Sequence, residues 1–353
     1  MTKSSGRSAT ALAAAAPAQA SPPPAPPGRM EDVARLAGVS MVTVSRALNT
    51  PDKVAPATRA RIEAAVQRIG YVPNLLAGSL ASNRSRIVAA LVPTIANSIF
   101  SETVEGMSEV LTRHGYQLLL GQTGYDESVE EALVATFLGR RVDGILLTGI
   151  GHSRDTRLQL MRRRLPVVET WDLTPSPIDR IVGFSNREAG EAMTRHLIER
   201  GYRRIAFAGG ADERSESRRA GWLAALEAAS AVPGPSLTVA TPSRVAAGRE
   251  AIDELMRHDP PPDAVFFSND VLAIGALLQC ERRGWPVPRQ VAIAGFTDTE
   301  LASEFNPSLT TVHVRGRAIG ERAAEVLLAR IDGRGNVQTT IDVGYEIVAR
   351  DSA

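Results

Sequence analysis

The sequence predicts a small all-α N-terminal domain followed by a larger α/β core with parallel sheets, and three observations lead there. Residues 32–69 carry apolar positions at helical spacing, interrupted by capping and breaking residues. From Ile87 the pattern changes to short apolar runs separated by helical stretches, as expected for strands covered on both faces by helices. The length, 353 residues, is enough for two or three cores.

The stretch Asp32 to Arg46, DVARLAGVSMVTVSR, fits two short helices joined by a tight turn. Val33, Ala34 and Ala37 share one face, Gly38-Val39 breaks the first helix, and Ser40 caps the second. Two amphipathic helices around a glycine occur in many helical domains. The continuation is more telling: a third helix bearing Arg59, Arg61 and Arg68, then Gly70-Tyr71-Val72-Pro73-Asn74 and an Ala/Leu segment, Leu75 to Ala81. In a helix-turn-helix the second helix, here Met41 to Leu48, enters a DNA major groove with its first residues at base edges. Charge agrees with this reading. The whole chain is nearly balanced, 40 Lys+Arg against 39 Asp+Glu, whereas residues 29–86 carry nine basic and four acidic side chains, a local excess that suits phosphate contacts.

The motif DVA-x-x-AGVS-x-x-TVSR-x-LN, the T-R-x-x-I segment and GY-x-PN resemble the LacI/GalR family of bacterial transcription regulators, over about residues 30–350. The resemblance implies a DNA-binding set of Ser40, Met41, Val42, Thr43, Ser45, Arg46, Asn49, Tyr71, Asn74 and Leu80. Met41 and Val42 would reach base edges and Arg46 would pair with a guanine, while Thr43, Ser45 and Asn49 hold phosphates or the groove wall. Leu119-Leu120-Gly121 with Gly124-Tyr125, Val182-Gly183-Phe184 and Asp212-Glu213-Arg214 look like the subgroup that represses gluconate utilisation. One departure lies at the front: Arg29 stands where family members often have a capping Thr, so a less firm start of the first helix is expected.

Residues 1–28, Ala/Pro/Ser-rich with SPPPAPP at 21–27, read as a disordered tail. The run Ala11 to Ala16 is too short and mild for a secretory signal, and no charge-free stretch approaches the roughly 20 residues that span a membrane. A cytoplasmic location is expected. Residues 29–73 form the DNA-binding domain and 74–86 a hinge. In the hinge, Leu75, Leu76 and Leu80 can share one side of a two-turn helix that is marginal alone, since Gly78 costs about 1 kcal/mol against Ala. The resemblance makes this the hinge helix and Leu80 the leucine that wedges into the minor groove.

Seven apolar runs, beginning at Ile87, Gln117, Gly144, Pro166, Arg204, Ala264 and Val291, are too many for one small sheet. The resemblance implies a two-lobed, periplasmic-binding-protein-like core with a cleft: residues 87–184 plus about 312–335 in one lobe, 185–311 plus about 336–353 in the other. Phe100, Val104, Met107 and Leu111 fall at helical spacing and read as core. The apolar Thr340 to Val348 segment near Ala353 leaves no room for an appended heptad helix, so a homodimer is expected rather than a tetramer.

In open α/β lobes ligands sit at the carboxyl ends of strands. Candidate effector-binding residues are Phe100, Arg214, Arg218, Asn269 and Asp298. Arg218 stands four residues before Trp222, where the family has its effector-binding arginine, and Asn269 matches a family residue that binds sugar hydroxyls. Thr297 stands where lactose-type regulators carry an acid, so paired hydroxyls would be held differently. Arg214 and Arg218, one helical turn apart at the start of a helix, suit an anion, which points to a sugar acid such as gluconate. The competing reading has both arginines bracing the loop through Asp212, Glu213 or Glu216.

A single cysteine, Cys280, excludes an internal disulfide framework, and five histidines without HxxxH or HxH spacing give no metal site. No cofactor is expected. No Walker phosphate loop, GxSxG elbow or HExxH occurs, so the chain does not read as an enzyme. The expected partners are operator DNA, a small-molecule effector and a second copy of the chain. A corepressor, a neutral sugar as effector, and a sugar-binding transport protein are the alternatives, the last disfavoured by the helix-turn-helix.

Overall fold

The computed structural model describes residues 28–71, 84–95, 98–334 and 338–353, without the side chains of Asn49 and Ser98. The expected tail falls almost entirely outside the described residues, as does most of the hinge with Asn74 and Leu80. Contacts divide the chain into two units, Met1–Ser82 and Asn83–Ala353.

Among its described residues the first unit contains α1 (Met30–Ala37), α2 (Met41–Asn49), a 3-10 turn and α3 (Pro56–Ile69). Its core is Val33, Ala34, Ala37, Val44, Ala47, Ile62, Ala65 and Tyr71. Four of these eight are alanines, which lets short helices approach closely around very little apolar volume. Arg29 supplies no side-chain cap, as expected, but the start of α1 is held from inside: the Asp32 carboxylate accepts the Arg29 N–H at 3.1 Å and pairs with Arg35. The helix ends at Gly38, φ +61°, with Val39 N–H on Ala34 O at 3.0 Å, and the Arg61 guanidinium from α3 covers the carbonyls of Ala37 and Gly38. Ser40 then caps α2 by accepting Thr43 N–H at 3.2 Å.

The second unit holds two parallel sheets. The first has six strands in the order β11-β5-β4-β3-β1-β2: β1 (Ile87–Val92), β2 (Gln117–Gln122), β3 (Gly144–Thr148), β4 (Val167–Thr170), β5 (Arg180–Gly183) and β11 (Thr340–Asp342). Strand alternation sorts its side chains. Val88 and Ala90 pack under Met107, Val110 and Leu111 of α4 (Ser101–Arg113) and Ala323, Ala324 and Leu327 of α12 (Gly316–Ile331). Ala89 and Leu91 face Val134 and Phe137 of α5 (Glu127–Gly139) and Leu160 of α6 (Arg154–Arg163).

The second sheet runs β7-β6-β8-β9: β6 (Ile205–Gly210), β7 (Ser236–Val239), β8 (Ala264–Phe267) and β9 (Ala292–Ala294). One face packs on α7 (Asn186–Glu199) and α8 (Glu213–Ala228), the other on α9 (Val245–Leu255) and α10 (Asp270–Arg283), with a short α11 (Glu300–Glu304) near the end of β9. α7 and α8 touch through glycines. A Cβ on Gly221 would lie 2.0 Å from Arg187 O and one on Gly190 2.4 Å from Arg218 O, and this closeness brings Arg218 beside Asn186.

The chain passes between lobes after β5, through β10 (Thr311–Val314) and through β12 (Tyr345–Val348), the last two paired antiparallel. The third crossing corrects the sequence boundary near residue 336. Thr340–Asp342 still belongs to the first sheet, because it pairs in parallel with β5, and the crossing follows it.

Candidate functional site

The reading helix has two sides. Val44 and Ala47 point into the three-helix core, which leaves Met41 at 49 % and Val42 at 65 % exposure on the first turn, with Arg46 exposed and Thr43 and Ser45 half-buried. Apolar side chains projecting into water from a helix start are what a groove-reading surface offers to thymine methyl groups and base edges. Ser40 Oγ and Thr43 Oγ1 share a hydrogen bond of 2.9 Å at the same end. Tyr71, expected to face DNA, is instead a core residue at 9 % exposure. Its N–H closes the end of α3 on Val66 O at 3.1 Å, and that turn swings the ring inward. Of the expected DNA-binding residues, Asn74 and Leu80 and the side chain of Asn49 lie outside the described residues.

The second candidate site follows from strand order. β1 lies beside β3, and β6 beside β8, at the points where each sheet reverses its winding direction, and a ligand crevice opens there at the carboxyl ends. A cavity of about 400 Å³ occupies that place, lined from the first lobe by Thr123, Tyr125, Thr148 and Gly149 and from the second by Asp212, Glu213 and Arg214.

Of the expected effector residues, Arg214 lines this cavity. Its guanidinium carbon lies 5.1 Å from the centre of the Phe100 ring and 5.9 Å from that of Tyr125, so both rings pack against it. Its nearest carboxylate, Asp212, is at 3.9 Å, a loose pairing. Arg218 lies one turn further along α8 and is buried. Its Nε donates to Asn186 Oδ1 at 2.9 Å, another nitrogen donates to Ser268 O, and the group stacks on Phe296 at 3.6 Å. Burial lowers its pKa to about 10, with Arg214 pushing the same way and Asp212 and Asp172 opposing; the group stays charged at neutral pH. Asn269 and Asp298 have other work here. Asn269 caps α10 through Leu272 N–H at 3.1 Å and donates to Ser243 Oγ at 2.9 Å. Asp298 pairs with Arg350 at 2.7 Å and His313 at 3.1 Å, and it does not line the cavity.

Sequence reasoning missed three polar residues that lie beside Arg218 or behind the first-lobe wall. Asp172 follows β4 and is buried; its Oδ2 has no hydrogen-bond partner among the described residues, and burial raises its pKa. Asn186, at the start of α7, ties Arg218 to Trp171 O, which receives its Nδ2 at 2.8 Å. Behind the first-lobe wall, His152 is enclosed between Glu130, 2.8 Å from Nδ1, and Glu169, 3.7 Å from Nε2. Asp172 had a legible signal, a carboxylate just past a buried strand; His152 had none, because its partners come from α5 and β4.

The comparisons with known proteins fit this geometry. Residues 29–74 match the model of bacterial regulatory proteins of the lacI family, and residues 194–353 match the periplasmic binding protein-like domain. Over 325 residues the chain is 40 % identical to the HTH-type transcriptional regulator GntR of Pseudomonas aeruginosa, covering 92 % of this chain and 95 % of that one. The chain belongs to the LacI family. It is 36 % identical to the regulator of the same name from Escherichia coli, over 90 % of this chain and 96 % of that one. A crystal structure of a LacI-family regulator from Silicibacter pomeroyi superposes with a TM-score of 0.86 at 35 % identity, covering 92 % of this chain and 99 % of the other. As a LacI-family member the chain is a DNA-binding transcriptional regulator with a helix-turn-helix and an effector-binding core.

Proposed function

We propose that this LacI-family regulator is a cytoplasmic homodimer that represses genes for the use of gluconate or a close relative, and that the sugar acid releases it from its operator. The observation that carries the reading is the pair Arg214 and Arg218. Two guanidinium groups are buried one helical turn apart, where burial and the charge of Arg214 both weigh against the charged form of Arg218, and a carboxylate beside them relieves that repulsion while accepting parallel hydrogen bonds. The relatives named GntR, at 36–40 % identity over nine-tenths of the chain, favour the same effector class. The protein performs no chemistry on the ligand; binding energy goes into changing the relation between the lobes. Because the lobes join the reading domain through the segment after Tyr71, effector and operator are linked, each weakening the other by the same factor.

Calorimetry with gluconate and with glucose tests the anion site. Losing one charged hydrogen-bond partner costs about 1.5–3 kcal/mol, so Arg214→Ala weakens gluconate binding roughly ten- to a hundredfold and leaves operator binding intact. Arg214 is the cleaner position, since Arg218 also joins Asn186 to Ser268. Equal affinity for acid and neutral sugar in wild type and variant rejects the reading.

The dimer has its own support in a groove of about 1220 Å³ on the outer side of α4, where Ile95 and Leu120 are exposed beside Glu105, Glu109 and Arg113. Sedimentation at micromolar concentration should give a dimer; a monomer or tetramer counts against it.

A further inference from the structure

The start of α8 crosses the cleft twice. Arg214 lies over Phe100 and Tyr125 of the first lobe, and one residue earlier the Glu213 carboxylate packs against the Gly151 backbone, also of the first lobe. The approach is that close because Gly151 has no side chain: a Cβ there would lie 2.2 Å from Glu213 Oε2. On its own side, Glu213 sits in the first turn of α8, where the helix N-terminus favours a negative charge. It also faces Asp172, His152 and Arg214. A carboxylate of the protein therefore stands in the cleft beside the guanidinium to which a ligand carboxylate is assigned above.

We propose that Glu213 is a specificity-determining residue of the cleft, clasping the two lobes through Gly151 in place of an anionic effector and giving way when the effector's carboxylate arrives. The side chain is solvent-accessible, so it can swing into water without disturbing the core. Partial burial, and then the charge of Asp172, hold its carboxyl above the usual range against the opposing pull of His152 and Arg214, so its charged form is the less secure of the anions competing for this place. A neutral polyol brings no charge to displace it. Glu213 thus sets what an acid must overcome to bind, and its removal favours acids selectively. The displacement half of this proposal rests on the sugar-acid reading; the clasp does not.

Hydrogen exchange of the full-length, ligand-free chain reads the clasp directly, and titration with D-gluconate and neutral D-glucitol reads the displacement. In Glu213→Ala, and in Gly151→Ala, which evicts the carboxylate without removing its charge, residues 149–152 should exchange about fivefold faster or more than in wild type, as expected when a contact that holds this segment closed is removed. Gluconate should bind Glu213→Ala about fivefold tighter or more, with glucitol unchanged. Unaltered exchange in Glu213→Ala overturns the clasp. Faster exchange with weakened gluconate binding overturns the displacement, since Glu213 would then be holding the ligand. Faster exchange with no gluconate binding to any of the proteins upholds the clasp and rejects the sugar-acid reading alone.

Discussion

His152 shows what single residues do behind the cleft. Burial by itself lowers the imidazole pKa, but Glu130, Glu169 and the Gly149 carbonyl more than offset it, and the net shift is upward from the ordinary value of 6.5. Glu169 is fully buried, and burial raises its carboxyl as well. In both cases the folded state holds a proton more firmly than the unfolded chain, so stability falls with rising pH. The histidine's share is fully present below about pH 6.5, the unfolded value, and is lost as the pH climbs through the raised folded pKa. Breaking such an enclosed pair costs about 3 kcal/mol, so His152→Asn should destabilise the core by that order near pH 6 and by clearly less at pH 9 in urea unfolding. An equal cost at both pH values would mean that His152 is uncharged in the fold. At this scale the sequence was legible where chemistry is local: Arg214 and Arg218 stand a turn apart on one helix, and Cys280 reads as buried and is so. It was not legible where partners come from distant elements. The pairing of Asp298 with Arg350 depends on the C-terminal segment folding back, which no local pattern announces.

The elements were legible in proportion to their burial. All seven apolar runs are strands; six are buried almost throughout, as strands covered on both faces must be, while β2 lies at a sheet edge with Leu120 exposed. β7, with the sequence Ser-Leu-Thr-Val, lies at a sheet edge and alternates exposed with half-buried positions, so it offers no such run; β5 and β11 are only four and three residues long. The reading helix was legible from its cap and its inward Val44 and Ala47, and its outward residues make a prediction. Exchanging Met41 and Val42 for another pair of side chains should change the preferred operator without unfolding the domain, because neither is part of the core. Selection from randomised duplexes tests this, and the same consensus from both proteins would contradict the assignment. Tyr71 is the cautionary case: it lies in a motif that reads as DNA-binding, yet its ring fills the core of the first unit.

At the scale of the whole molecule, a DNA-reading unit and a two-lobed core are joined within one chain, and regulation requires that the ligand distinguish the DNA-competent state from the released one. Tight binding alone moves nothing. Tyr125 and Gly149 of one lobe and Glu213 and Arg214 of the other line one cavity, so a ligand seated there bears on both lobes at once. The most direct measurement is the affinity of the full-length protein for its selected operator as D-gluconate is titrated in, with the converse titration of gluconate in the presence and absence of that DNA. Gluconate should weaken operator binding, and operator should weaken gluconate binding by the same factor, with Arg214→Ala abolishing the response while keeping the DNA affinity. Operator affinity that stays constant through saturating gluconate would contradict the account.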